Sequence, residues 1–136
     1  IVETIKPDVA IVTDVCHDTH TPMINKIKQG DTQCGKGPVL FYGPSVQNNL
    51  LDLIIKSAED KKIPFQRGAA SRATGTDTDA FAFSTGGVAS ALISLPLRYM
   101  HTTVECVSKD DVNNVIKLIF NLLQNIKNKH DFRYLK

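Results

Sequence analysis

Short runs rich in β-branched residues alternate with stretches of helical period along this chain. That alternation constrains the fold more than any single residue does. The run VAIVTDV, from Val9 to Val15, reads as a buried strand that ends at Asp14. PVLFYG is a short strand stopped by Gly43 and Pro44. From Asn48 to Lys62, Leu50, Leu51, Ile54, Ile55 and Ala58 form the i, i+3, i+4 stripe of a helix. IPFQRGA is the next strand. A Thr- and Gly-rich turn, SRATGTDTDAF, leads into a short helix over Thr78 to Ser84, with Asp77 as its N-cap and Gly86–Gly87 as its stop. Val88 to Leu95 is another buried strand, which Pro96 is expected to stop.

SKDD, from Ser108 to Asp111, caps a terminal helix. Its apolar face is expected to hold Val112, Val115, Ile116, Ile119, Leu122, Leu123 and Ile126. The tail beyond it is polar and expected to fray. The stretch from Cys16 to Lys36 reads as one long loop, a kind that usually carries function or is covered by a partner. This order of elements predicts an α/β fold: a mainly parallel central sheet with helices on both faces, a three-layer α/β/α sandwich. Ligands gather beyond the carboxyl ends of strands in such sheets. That rule selects Asp14, the Arg67 to Asp77 turn and His101.

Length and charge exclude several classes. At 136 residues the chain is long enough for one domain with a real core. Sixteen basic and fourteen acidic residues leave a net charge of +2, which does not indicate a nucleic-acid partner. No apolar run approaches a membrane span, and nothing resembles a signal peptide. Three irregularly spaced cysteines, Cys16, Cys34 and Cys106, suggest free thiols and hence a cytoplasmic location. The opening IVETIKPDVAIV reads as an entry in mid-structure, so the chain is expected to be a fragment of a longer protein.

Asp14 and His101 are the residues with the most chemistry to offer. A carboxylate and an imidazole at neighbouring strand ends suit a borderline metal such as zinc or cobalt. Taken singly, an Asp or His at a strand end is more often a cap or a hydrogen-bonding group. His17, Asp18 and His20 sit close together in the following loop, but a loop without a rigid element preorganises ligands poorly. GTDTD lacks the spacing of a calcium loop, and CGKGP lacks the helix start of a phosphate loop. Cys16 beside His17 reads as an ordinary thiol rather than a nucleophile.

Taken in order, PDVAIVTDVCHDTHTP, GKGP, TGTDTDAFAFSTGGVASALISLPLRYMHTTVE and DDVNNVIKLI carry a more specific signal. Together they resemble the cocatalytic metallopeptidases grouped as TET aminopeptidases, glutamyl aminopeptidases and the proteins called endoglucanase or cellulase M. The resemblance runs from about Pro7 to Ile126. It implies an α/β/α catalytic domain that binds two zinc or cobalt ions and is interrupted by a smaller β-rich domain. It implies that Asp14 is a ligand of one metal and His101 a ligand of the other. Asp77 would be a structural residue near the site, and Arg98 and Tyr99 would support the pocket beside His101. The implied substrate is a peptide, and the implied assembly is a homo-oligomer.

Cys16 stands where the family often has Thr, and His20 and Met23 where it often has Asp and Gly. Substrate preference is therefore not carried over. The resemblance also implies an earlier histidine ligand, a bridging aspartate and two adjacent glutamates, one of them the general base; no segment here matches them. On this reading the chain is the C-terminal part of the catalytic domain, without the inserted domain, and is silent alone. Two alternatives stay open. One is glucanase activity, which normally uses two flanking carboxylic acids. The other is a non-catalytic role in structure or assembly, for which an exposed sheet edge would serve.

Overall fold

The computed structural model describes residues 2–84 and 86–132. In chain order the elements are α1 (Val2–Ile5), β1 (Val9–His17), α2 (Lys26–Gln29), β2 (Val39–Tyr42), α3 (Asn48–Asp60), β3 (Gln66–Ala69), α4 (Asp77–Ala82), β4 (Ala89–Arg98), β5 (Cys106–Val107) and α5 (Lys109–Asn125). The sheet order is β1-β4-β2-β3, with β5 paired to β4.

The longest ladder is parallel: β1 pairs with β4 from Val9↔Ala89 to His17↔Leu97. β2 and β3 are also parallel, from Val39↔Gln66 to Tyr42↔Ala69. The two parallel pairs meet in antiparallel sense, through Val39↔Ser94 and Leu40↔Ile93. β5 returns antiparallel beside β4. The sheet is thus mixed but mostly parallel, as the alternation of strands and helices predicts.

The core lies between the sheet and the pair α3 and α5. Leu40, Ala91 and Ile93 from the sheet close against Leu50, Leu51, Ile54, Val115, Leu118 and Leu122 from the helices. A fully buried aliphatic side chain contributes about 1.5–3 kcal/mol through the water it sheds, so these residues dominate the stability of the domain. α4 packs instead against β1 and β4, apart from this cluster. Helices on both faces of a mostly parallel sheet make an α/β sandwich.

The structure corrects several expectations. Pro96 does not stop β4, which runs on to Arg98. Pro96 lies between the last β2 pair, at Ser94, and the first β5 pair, at Leu97. The β2 and β5 ladders therefore lose nothing to its missing N–H. β1 is an edge strand, and of its residues only Ala10 is fully buried. The stretch read as one loop contains α2, capped by the Asn25 side chain on the N–H groups of Ile27 and Lys28. Thr19 and Thr32 close that stretch: each backbone N–H bonds to the other residue, at 2.9 Å.

On α5 the buried side is Asp111, Val115, Leu118 and Leu122. Of the expected face, Ile116 and Leu123 are 61% and 59% exposed while Ile119 and Ile126 pack on the core, so the face is rotated in part. The helix carries apolar residues around most of its circumference, and periodicity alone does not choose among them. The tail does not fray throughout. Phe132 packs on the core, and its carbonyl accepts the Gln47 side-chain amide at 2.6 Å. The rest of the tail, residues 133–136, lies outside the described residues.

Candidate functional site

β1 and β4 run parallel in register, so their C-terminal ends share one edge of the sheet. β1 does not end at Asp14 but runs on to His17, because the β4 ladder continues that far; Asp14 stands within it opposite Ser94, and His101 follows the end of β4 by three positions. The third strand end chosen from sequence is elsewhere. β3 runs opposite to β4, so the turn after Ala69 leaves from the other edge and folds back across the sheet. A rule written for parallel sheets fails where the direction reverses.

A cleft of about 340 Å³ opens where that turn meets the ends of β1 and β4. Cys16, His17, Phe41, Arg72, Ser94 and Met100 are among its lining residues. Ser94 is 1% exposed, and its hydroxyl has no partner among the described residues. Neither Arg72 nor Ser94 had a sequence signal beyond its place near a strand end. A larger cavity, about 1160 Å³, lies between Val9, Phe83, Ala89 and Phe132, at the N-terminal ends of β1 and β4 and so away from His101.

Asp14 is half-buried, and its carboxylate accepts the N–H of Val15 at 2.7 Å. Burial first, then the charges of Asp18 and Asp14, push the neighbouring Cys16 thiol up to about 12. Cys16 is thus a neutral thiol at ordinary pH, which agrees with its reading as an ordinary thiol. His101 is exposed and sits in a left-handed conformation, with φ 65°. Its backbone N–H donates to the Glu105 carboxylate. Tyr99 is also left-handed, with φ 54°, and its carbonyl accepts the Thr102 hydroxyl at 2.6 Å. Two non-glycine residues at positive φ within three positions make this a costly turn, held by its own hydrogen bonds. The Arg98 guanidinium lies over the Tyr99 ring at 5.4 Å. Stacking of this kind stabilises by about 0.5–1 kcal/mol at an exposed site.

No hydrogen bond or ion pair joins Asp14 to His101 among the described residues. No group of three or more His, Cys, Asp or Glu gathers there into a metal-holding set. The loop histidines are dispersed as well. Asp18 turns inward and accepts the N–H groups of His20 at 2.7 Å and Cys34 at 3.2 Å. The His20 ring faces outward to Asp31 at 2.8 Å and Lys26 at 2.9 Å. Hydrogen bonds from Lys26 and then His20 hold the Asp31 carboxyl below its ordinary range.

Asp77 is not the N-cap of α4. Thr76 is, with its hydroxyl accepting the N–H of Thr78 at 3.3 Å. The carboxylate that organises this turn is Asp79, which accepts the N–H groups of Thr74 at 3.1 Å and Gly75 at 2.9 Å. A helix start offers several free N–H groups, and the chain geometry decides which neighbour meets them. The sequence reading chose Asp77 and passed over Asp79, two positions further on.

The family model for the M42 glutamyl aminopeptidases matches residues 1–118. A lysyl aminopeptidase of Pyrococcus furiosus is 37% identical over 123 residues, which cover 90% of this chain and 35% of that protein. The structure of a TET aminopeptidase from a marine-sediment Thaumarchaeota archaeon superposes with a TM-score of 0.81 at 30% identity, covering 93% of this chain and 35% of that one. The TET1 peptidase of Pyrococcus horikoshii, which can assemble into a tetrahedron or a large octahedral shell, gives a TM-score of 0.63 at 28% identity over 85% of this chain and 33% of its own. The chain spans about a third of the length of the relatives it matches.

Proposed function

The chain belongs to the M42 glutamyl aminopeptidase family, and from that premise we propose that it is the part of a metal-dependent aminopeptidase that brings Asp14 and His101 to the metal centre. The observation that supports this reading is the parallel β1–β4 ladder: Asp14 stands three residues before the end of β1 and His101 three after the end of β4, though 87 positions (101 − 14) separate them.

A carboxylate oxygen and an imidazole nitrogen are donors that zinc and cobalt accept. A zinc site normally takes three or four protein ligands, and no such group stands among the described residues. These residues alone do not fit a two-metal centre, and no chemical step is routed through one. In this reading the further ligands and the general-base glutamate come from outside the 136 residues. Such a metal pair would supply an activated water and hold the scissile carbonyl. This chain's own part is positional. The turn from Tyr99 to Glu105 would present His101, Arg98 stacked on Tyr99 would stiffen its base, and Asp77 would stand nearby as a structural residue.

The substrate in this reading is the N-terminal residue of a peptide, the assembly is a homo-oligomer, and the location is cytoplasmic. None of the described helices is long and apolar enough to cross a membrane. The experiment compares metal content and aminopeptidase turnover in the full-length protein with those of Asp14→Asn and His101→Ala. Each variant should lose bound metal and activity while keeping its fold. Unchanged metal content in both would overturn the assignment. The 136-residue chain, given cobalt and an aminoacyl chromogenic substrate, should show no turnover.

A further inference from the structure

The loop leading into β2 is fastened to the segment between β5 and α5. The N–H groups of Gly35 and Gly37 reach the Asp111 carboxylate at 2.6 and 2.8 Å. Beside them, the backbone N–H of Ser108 lies within reach of the Cys34 sulfur. Cys106 precedes Ser108 by two residues at the end of an extended strand. Side chains two apart on a strand leave on the same side. The Ser108 side chain faces this loop, since a Cβ built on Gly35 would lie 4.0 Å from its hydroxyl. The Cys106 side chain is therefore turned toward the loop that carries Cys34, and the Cys34 thiol feels the charge of Cys106. Both are free thiols; Cys106 is exposed and Cys34 half-buried.

We propose that Cys34 and Cys106 are a redox pair that closes into a disulfide when a peroxide is present. The exposed Cys106 thiolate attacks the peroxide, forms a sulfenic acid and releases water. The Cys34 thiolate then attacks the Cys106 sulfur; the S–S bond forms and hydroxide leaves, taking a proton to become water. Two thiols and one hydrogen peroxide give one disulfide and two waters, with two electrons passing from sulfur to oxygen. The order of events follows from exposure: Cys106 meets the oxidant first. The half-buried Cys34 meets the oxidant second and supplies the resolving thiolate. Cys16 stays out of the reaction because it sits in β1, on the opposite side of β4 from β5. The bond would tie β5, which pairs with Arg98 at the root of the His101 turn, to the loop before β2.

The test uses the 136-residue chain, reduced, treated with hydrogen peroxide, alkylated and digested for mass spectrometry. Two of the three cysteines should escape alkylation, as one linked peptide pair containing Cys34 and Cys106, reversed by dithiothreitol. Cys16→Ser should form the same pair. Cys34→Ser should leave a sulfenic acid on Cys106 that dimedone traps. Oxidation in urea should give mixed pairings, showing that the fold selects this one. A Cys16–Cys34 bond, a Cys106–Cys106 bond between two chains as the main product, or full alkylation after peroxide would each overturn the proposal.

Discussion

Asp111 and Gly37 are 74 positions apart in sequence, yet the Gly37 N–H donates to the Asp111 carboxylate at 2.8 Å in the interior of the molecule. The other carboxylate oxygen takes the Gly35 N–H at 2.6 Å. Asp111 is fully buried in the first turn of α5, where the helix dipole also favours a negative charge. One side chain thus joins the start of the terminal helix to the loop that enters β2.

Removing that carboxylate should be severe. Asp111→Ala deletes two bonds to a charged acceptor and leaves two N–H groups without it, so a loss of about 3 kcal/mol is expected. Urea denaturation of the 136-residue chain measures it, and a loss below about 1 kcal/mol would show that the loop is held by other means. Gly37→Ala should cost at least about 2 kcal/mol, because its φ is +94° and a Cβ would sit 2.2 Å from the Pro64 carbonyl oxygen.

Gly68 is a second tight position, for a different reason. A Cβ there would lie 2.8 Å from the Phe41 ring and 2.9 Å from a Val39 methyl. Those are side chains and can shift, so Gly68→Ala should cost about 1 kcal/mol and Gly68→Val about 3. Thermal unfolding of the two variants should fall in that order; equal melting temperatures would mean that Phe41 moves aside freely.

The turn before α4 should respond to acid. Burial raises the Asp79 carboxyl, but the hydrogen bonds it accepts, those of Thr74 and Gly75 among them, bring it below the ordinary value of 3.8. A carboxyl lowered in the folded state adds stability above its unfolded value and loses it as pH falls through the folded one. Amide shifts of Thr74 and Gly75 should therefore titrate together with a midpoint below 3.8. A midpoint above that value, or none, would remove Asp79 from this role.

The thiols should separate by reactivity. With its thiol pushed up to about 12, Cys16 carries almost no thiolate at neutral pH. A maleimide should label exposed Cys106 at least about tenfold faster than Cys16. Similar rates at the two positions would contradict the buried setting of Cys16.

Much of the architecture was legible because strands and helices announce themselves by period. The stripe at Leu50, Leu51, Ile54, Ile55 and Ala58 is the buried side of α3, and Ser108 is the N-cap of α5, as SKDD suggested. The family was legible as well, because its motifs follow one another in order across most of the chain. Pro96 misled because a proline breaks a strand only where its N–H is needed. Leu118 was passed over because helical period counts apolar positions without knowing which side meets the sheet.

The sequence by itself determined the main strands and helices and their order, though not α1, α2 or β5, and it nominated Asp14 and His101, because each of these is written in local pattern or motif. Only the tertiary structure decided direction and partnership. It set β2 and β3 against β4, so that the turn after Ala69 leaves from the opposite edge and folds back to the ends of β1 and β4. It chose Thr76 and Asp79 over Asp77 at the start of α4. It set Asp111 on Gly35 and Gly37, and Cys34 beside Ser108. Contacts between residues dozens of positions apart depend on how the elements pack, and no local pattern encodes that packing residue by residue.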